Sequence, residues 1–312
     1  MGVPVFLGEN HPRRLYYEML MADSLRYLGR PTEALLRLQR VVQSNHLIGS
    51  SRERIRGLFL MVRAEQDLGD TKSARRHLSE VLEMQGREDA FHLAVIVFLM
   101  KSSALDGDPE AVKMYHNSAS AWIDENPTVS KFDPIILKRF HGQALIALGR
   151  TREALAILEP LEGTMKDTSS LGWSEADVAM DIGEARRKQG DLGAAEQDFQ
   201  RALTYFEGNV PERSPLRADA LRNLGEIALQ QGRFAEAEPR LLRAEAIYAA
   251  VAEPNYAPLA RTRFALAQVL TAAGPTVPAA ARDYVTRALE AQRANGREEE
   301  VRAMESWLAE HP

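Results

Sequence analysis

The sequence at residues 221–239 reads LRNLGEIALQQGRFAEAEP, and this stretch decides the fold. Gly232 stands in a short polar turn between two segments whose apolar residues recur at the three- and four-residue spacing of a helix face. Gly225 lies seven residues before the turn glycine, and Ala237 lies five residues after it. Small side chains at these two positions allow two helices to approach each other closely. The stretch therefore predicts a helical hairpin.

The same pattern recurs along the chain. Small residues precede and follow most turns at the same offsets, as Gly142 and Ala154 do around one of them. The third turn lacks a glycine at the matching position, so we assign it to Asp106, which puts Ala111 and Tyr115 in the packed positions of the next helix. A period of 37 to 43 residues indicates stacked helical hairpins, with turns at Gly29, Gly69, Asp106, Gly149, Gly190, Gly232 and Gly274.

This order of small residue, glycine turn and alanine resembles the tetratricopeptide repeat, in the long variety of about 42 residues seen in kinesin light chains and many bacterial proteins. The resemblance covers residues 13–296. It implies an all-α fold, a right-handed α-α superhelical solenoid of about seven hairpins followed by a capping helix. A generic helical bundle is the alternative. We place the hairpins at residues 13–46, 51–86, 88–124, 133–162, 171–208, 213–252 and 255–295.

The two ends of the array differ in sequence. Residues 297–312 are predicted to form the capping helix, with Val301, Met304 and Leu308 on one face and Trp307 beside them, because a terminal repeat must cover its open apolar side. Residues 1–12 are predicted to be either the tail of a preceding repeat or a disordered N-terminus. The first interpretation leads to the hypothesis that the chain is the C-terminal part of a longer protein.

Composition and motif content argue against most chemical activities. The 312 residues include no cysteine, and 44 acidic against 39 basic residues give a formal net charge of −5. Thiolate chemistry is therefore excluded, and we predict no nucleic-acid ligand. The seven histidines lack the spacing of a helical zinc site and no phosphate-binding glycine loop occurs, so we predict no metal, no cofactor and no enzymatic activity. No apolar run is long enough for a membrane span, and we expect a cytoplasmic protein.

The resemblance places ligand contacts on the first helix of each hairpin, which lines the concave groove. Its inward positions lie about ten, six and three residues before each turn, so they form one stripe on each helix. Arginine and glutamate pairs such as Arg222 and Glu226 could instead only solvate a helix face. The predicted groove residues are Asp23, Arg26, Phe59, Arg63, Gln66, Arg139, Gln143, Glu184, Arg187, Arg222, Glu226, Arg261, Phe264 and Gln268.

The function that follows from the resemblance is protein or peptide binding in an open superhelical groove. The alternative is that the chain is the C-terminal sensor or docking region of a larger bacterial serine/threonine kinase or transcriptional regulator. Self-association through the terminal hairpins is a third possibility.

Overall fold

The computed structural model describes residues 11–44, 51–68, 70–84, 91–127, 133–162, 174–253, 256–272, 278–294 and 297–311, and the regular elements in these ranges are helices, without strands. The helices are α1 (Pro12–Tyr27), α2 (Pro31–Gln43), α3 (Ser51–Leu68), α4 (Thr71–Met84), α5 (Phe91–Leu105), α6 (Pro109–Glu125), α7 (Asp133–Ala147), α8 (Thr151–Leu158), α9 (Glu175–Gln189), α10 (Leu192–Asn209), α11 (Pro215–Gln230), α12 (Phe234–Val251), α13 (Ala257–Ala272), α14 (Ala279–Ala294) and α15 (Glu298–Glu310).

Successive helices pack as hairpins. The pairs run from α1 with α2 to α13 with α14, and α15 packs on α14. Several first helices also contact the first helix of the next hairpin, as α1 contacts α3 and α7 contacts α9. This stacking buries a continuous core, because each hairpin covers the apolar face of its neighbour. The predicted all-α superhelical repeat fold is confirmed.

The turns use glycine for a backbone reason. At Gly29, φ is +74°, the left-handed region in which a side chain is disfavoured. The Gly29 N–H donates to the carbonyl oxygen of Arg26, and the Arg30 N–H donates to that of Leu25, both at 3.0 Å. This pair of hydrogen bonds ends α1 and reverses the chain. The turns predicted at Gly69 and Gly274 lie outside the described residues.

The turn between α5 and α6 corrects the sequence assignment. Gly107, not Asp106, has the left-handed backbone, with φ +72°. The register of the third repeat therefore moves by one residue, and Val112 is buried on α6 while Ala111 and Tyr115 are only partly buried. The prediction that this repeat had lost its turn glycine was wrong, because Ala111 and Tyr115 imitate the repeat pattern one residue out of register.

Small residues set the close approach within the hairpins, as predicted. A Cβ atom at Gly142 or Gly225 would lie 2.6 Å from the side chain of Leu158 or Leu241, respectively. Because real Cβ atoms do not approach other atoms so closely, a larger residue at these positions would separate the two helices. The glycines therefore fix the packing distance between first and second helices.

The capping helix α15 covers the last hairpin. Met304 and Trp307 are buried, and Val301 and Leu308 pack at the edge of the same cluster, which also contains Val285 of α14. Three glutamates occupy the first turn of α15, where negative charge stabilises the positive end of a helix. The predicted capping helix is thus present at the C-terminal side of the array.

A contact between distant residues joins the first hairpin to the connection between the sixth and seventh hairpins. The N–H of Glu253, between α12 and α13, donates to the Gly29 carbonyl oxygen at 2.9 Å. The Glu253 carboxylate accepts hydrogen bonds from the N–H groups of Thr32 and Glu33, at 3.2 and 2.9 Å. Arg30 offers no side-chain cap to α2, so Glu253 satisfies donors that the helix start leaves free. We call this contact the clasp.

The clasp changes the expected shape of the groove. A Cβ atom at Gly29 would lie 2.8 Å from the Cβ of Ala252, so the glycine also permits the close approach of the two loops. The first hairpin therefore touches the connection between the sixth and seventh hairpins. The sequence predicted an open groove, but in the structure the clasp closes the superhelix on one side. The sequence could not predict this closure, because a contact between residues about 220 positions apart leaves no local signal.

Candidate functional site

The first helices α1, α3, α5 and α7, together with Asp177 of α9, line a cavity on the inner side of the superhelix. Its volume is about 390 Å³, which lies within the range of ligand pockets. We call it the first cavity. Six of the predicted groove residues line it: Arg26, Phe59, Arg63, Gln66, Arg139 and Gln143. Asp23, a seventh predicted residue, borders the cavity through an ion pair.

The arginines of the first cavity hold carboxylates of neighbouring hairpins. Each pair joins two first helices, so it fixes the position of one hairpin against the next. Gln143 adds a hydrogen bond from its amide to the carboxylate of Asp181 at 3.0 Å. The ion pairs are Arg26–Asp67 at 2.9 Å, Arg63–Asp23 at 3.1 Å and Arg139–Asp181 at 2.7 Å. These guanidinium groups already have their partners.

Aromatic rings form the apolar wall of the first cavity. Phe98 packs edge-on against Phe59, with ring centroids 4.9 Å apart, and its ring is tilted against that of Phe140, with centroids 5.4 Å apart. The three rings come from α3, α5 and α7, so the row crosses three hairpins. We call it the phenylalanine row. It offers a ligand a continuous apolar surface beside the ion-paired arginines.

Lys101 is a groove residue that the sequence prediction missed. It lies six residues before Gly107, the offset at which Arg63 and Gln143 precede their own turns. With the turn assigned to Asp106, the residue six positions before it is Met100, which is buried. The third hairpin therefore contributed no residue to the predicted groove. The Asp-Gly-Asp sequence at residues 106–108 is the signal that could have corrected the register.

A second cavity of about 470 Å³ lies between α11, α13 and α15. Glu300 of the capping helix pairs with Arg261 at 2.6 Å, so the cap also forms part of the inner surface. Four more of the predicted groove residues line this cavity: Glu226, Arg261, Phe264 and Gln268. The structure thus gathers most of the predicted residues into two cavities on one side of the array.

The remaining predicted residues are Glu184 and Arg187 on α9 and Arg222 on α11, and the partner of Arg222 is Glu226 of the second cavity. Arg187 pairs with Glu184, with a nitrogen–oxygen distance of 2.8 Å, and Arg222 pairs with Glu226 at 2.7 Å. Burial by itself would lower the pKa of Arg222, but Glu226, Tyr248 and Asp219 together outweigh that effect and the pKa is raised. For these four residues the geometry favours the alternative that they neutralise each other on the helix face.

The basic run at residues 186–188 has partners throughout: Arg186 pairs with Asp198 at 2.8 Å, and Lys188 donates to a backbone carbonyl oxygen. His116 and His141 lie together with ring centroids 4.0 Å apart.

Among the described residues, no group of three or more histidine and carboxylate side chains is arranged to hold a metal ion. Nor does any described helix have the length and apolar character needed to cross a membrane.

Comparison with known proteins agrees with this geometry. Residues 174–250 and 216–294 match the family model described as tetratricopeptide repeat. None of the curated proteins matches the sequence. Among solved structures, a Rap protein complexed with competence and sporulation factor is similar over 98% of this chain and 90% of its own, at 17% identity and a TM-score of 0.61.

Two other similar structures are longer than this chain. One is PH0952 of Pyrococcus horikoshii, a signal transduction ATPase with numerous domains and a tetratricopeptide-repeat sensor. It is 13% identical with a TM-score of 0.57, and the similarity covers 94% of this chain but only 48% of that one. The other is a chain of the APC/C hetero-tetramer Cut9–Hcn1. It is 14% identical with a TM-score of 0.52, and the similarity covers 95% of this chain and 56% of that one. Residues 174–294 thus match the tetratricopeptide-repeat family, and the rest of the described chain has the same all-helical superhelical fold.

Proposed function

We propose that the chain is a non-catalytic scaffold that binds a segment of another protein or a peptide on the inner surface of its superhelix. The observation that carries the proposal is the first cavity, where a row of aromatic rings meets polar side chains held in fixed positions by ion pairs. A preformed apolar surface with a few oriented polar groups is typical of ligand-binding sites. The excess of acidic over basic residues supports a protein partner rather than a nucleic acid.

The likeness to the Rap protein adds support at the level of the fold. That protein was solved with competence and sporulation factor bound, and it has a similar helical array. This likeness supports a peptide or protein partner for the present chain, and we expect the chain to act in the cytoplasm.

A groove-filling variant tests the proposal. Ala94 lines the first cavity, and Ala121 is exposed on α6. Peptides selected for binding to the intact chain from a random library should lose at least about tenfold in affinity for Ala94→Trp, because the indole occupies the cavity. Ala121→Trp, the matched control, should bind as the unaltered chain does. Equal affinity of Ala94→Trp and the control for every selected peptide would refute groove binding.

A second candidate is that the chain serves as the sensor region of a larger signalling protein, such as a kinase or transcriptional regulator. The observation in its favour is the likeness to a tetratricopeptide-repeat sensor within a protein of which this chain spans about half. Reading the coding frame upstream of Met1 tests it: a continuous frame encoding a kinase or a DNA-binding domain would support the sensor role, and an in-frame stop codon directly upstream would remove it.

A further inference from the structure

Lys101 differs from the other cations of the first cavity. Within the part of the chain that the structure describes, the Lys101 ammonium forms neither an ion pair nor a hydrogen bond, although its side chain is partly buried and lines the cavity. The arginines around it are held by Asp67, Asp23 and Asp181. The cavity therefore contains one cation whose charge is available to a ligand.

We infer that the bound peptide carries an acidic side chain next to a large apolar one, with the acid paired to Lys101 and the apolar group on the phenylalanine row. This inference rests on the proposed function and names the chemistry of its ligand. The two contacts belong together because Phe98 and Lys101 lie three residues apart on α5, which places them on the same helix face.

The electrostatics of the cavity favour a carboxylate over a neutral group. Burial lowers the pKa of Lys101, and the carboxylates of Asp67 and Asp181 oppose that effect from a distance without forming an ion pair. A partly desolvated ammonium beside aromatic walls gains more from an incoming carboxylate than from a peptide carbonyl oxygen, because hydrogen bonds between charged groups are about twice as strong as neutral ones.

The ammonium of Lys101 is a single point charge, and it favours an acidic side chain over a free chain terminus or a phosphate. Recognition of those groups uses paired donors, such as the fork of an arginine or several backbone N–H groups. The guanidinium groups of the cavity are held in ion pairs, and Gln143 already donates to Asp181. One ammonium remains, and one side-chain carboxylate matches it.

Three pools of short fluorescent peptides, randomised at the flanks, test the inference by fluorescence anisotropy. The first pool has a central Glu-Phe pair, a blocked N-terminus and an amidated C-terminus. The second has Gln-Phe in the same frame. The third also has Gln-Phe but ends in a free carboxylate. The proteins are the intact chain, Lys101→Met, Lys101→Arg, and Lys113→Met as a control, because Lys113 is exposed on α6.

The intact chain should bind the Glu-Phe pool at least about tenfold more tightly than the amidated Gln-Phe pool. Lys101→Met should remove this preference while it keeps the affinity for Gln-Phe, Lys101→Arg should retain the preference, and the control should not change it. Circular dichroism should show the same helix content for all four proteins.

Each other outcome overturns the inference in a different way. A preference that survives in Lys101→Met would show that another group recognises the acid. A Lys101-dependent preference for the free carboxylate pool would identify a chain terminus as the ligand. Equal binding of all pools by the intact chain would refute an acidic ligand and leave the proposed groove function standing. If no pool binds, both the groove function and the inference are wrong.

Discussion

Replacing a glycine by alanine should lower or raise the stability of the fold, depending on which atoms the added Cβ would contact. A Cβ atom at Gly183 of α9 would lie 2.8 Å from the Phe199 ring, whereas nothing lies within 4 Å of one at Gly193 of α10. Gly183→Ala should therefore lower the free energy of unfolding by about 1–3 kcal/mol through overpacking. Urea unfolding followed by circular dichroism measures the change.

The control substitution should change the free energy of unfolding in the opposite direction. Gly193→Ala should raise the free energy of unfolding by about 0.5–1 kcal/mol, because alanine restricts the unfolded chain and favours helix. If Gly183→Ala raises stability as Gly193→Ala does, the glycine at position 183 does not set the distance between α9 and α10.

His141 makes stability depend on pH. Burial, the adjacent His116 and the more distant Arg150 together lower its pKa from 6.5 to about 4. The unfolded chain therefore binds more protons than the folded chain between these values, so stability is lost as the pH falls from 6.5 to 4. Partial exposure of the ring reduces the effect to about 1–2 kcal/mol. The surrounding charged groups are Glu110, Lys113, Arg150 and Glu153.

The measurement compares the intact chain with His141→Gln at several pH values. The difference between their free energies of unfolding isolates the histidine from the carboxylates that titrate in the same range. This difference should change by the stated amount between pH 6.5 and 4. A difference that stays constant would show that His141 is not held in its neutral form.

At the scale of the helical elements, α6 shows both the strength and the limit of the sequence prediction. Residues that repeat at fixed offsets, such as Gly142 with Leu158, reveal the hairpins because their packing is local. The register of the third hairpin was misjudged because Ala111 and Tyr115 fit the pattern by their residue type alone. The error then hid Lys101, so a fold that was predicted well still gave an incomplete site.

Two substitutions at neighbouring positions test the corrected register. Val112→Asp should lower the free energy of unfolding by about 3 kcal/mol or more, because it buries a carboxylate in the core cluster that contains Trp122. Ala111→Asp should be nearly neutral, since the residue is partly exposed in the first turn of α6, where a negative charge is favourable. Thermal unfolding of both variants distinguishes the two registers, and the reverse order of stability would restore the sequence assignment.

Ion pairs between hairpins were also beyond the sequence prediction. Arg139 and Asp181 are 42 positions apart, about one repeat, and each could be proposed as an inward residue on its own. Only the packing of α7 against α9 shows that they neutralise each other. Several predicted groove residues line cavities between the first helices, and their role in binding stays a prediction. The pairing of their charges became visible only in the structure.

The clasp is a property of the whole molecule. Glu253→Ala removes the acceptor for two N–H groups of α2 and should weaken the closure by about 1 kcal/mol, the usual value of a helix cap. Because the chain has no cysteine, two spin labels can be attached to cysteines introduced at the exposed positions Arg40 and Ala250. The distance distribution between them should broaden and lengthen in Glu253→Ala.

Glu238→Ala on α12 serves as the control for the clasp and should leave the label distance unchanged. If the distance in Glu253→Ala also stays the same, the superhelix is held closed by the stacking of the hairpins rather than by the clasp.

The position of a ligand in the closed superhelix is the most direct test of groove binding. A peptide selected for binding, equipped with a photoreactive phenylalanine derivative, can be cross-linked to the intact chain and the attachment points identified by mass spectrometry. Groove binding predicts cross-links to the first helices α3, α5 and α7, at or beside Phe59, Phe98 and Phe140. Cross-links confined to the second helices α4, α6 and α8 would contradict it.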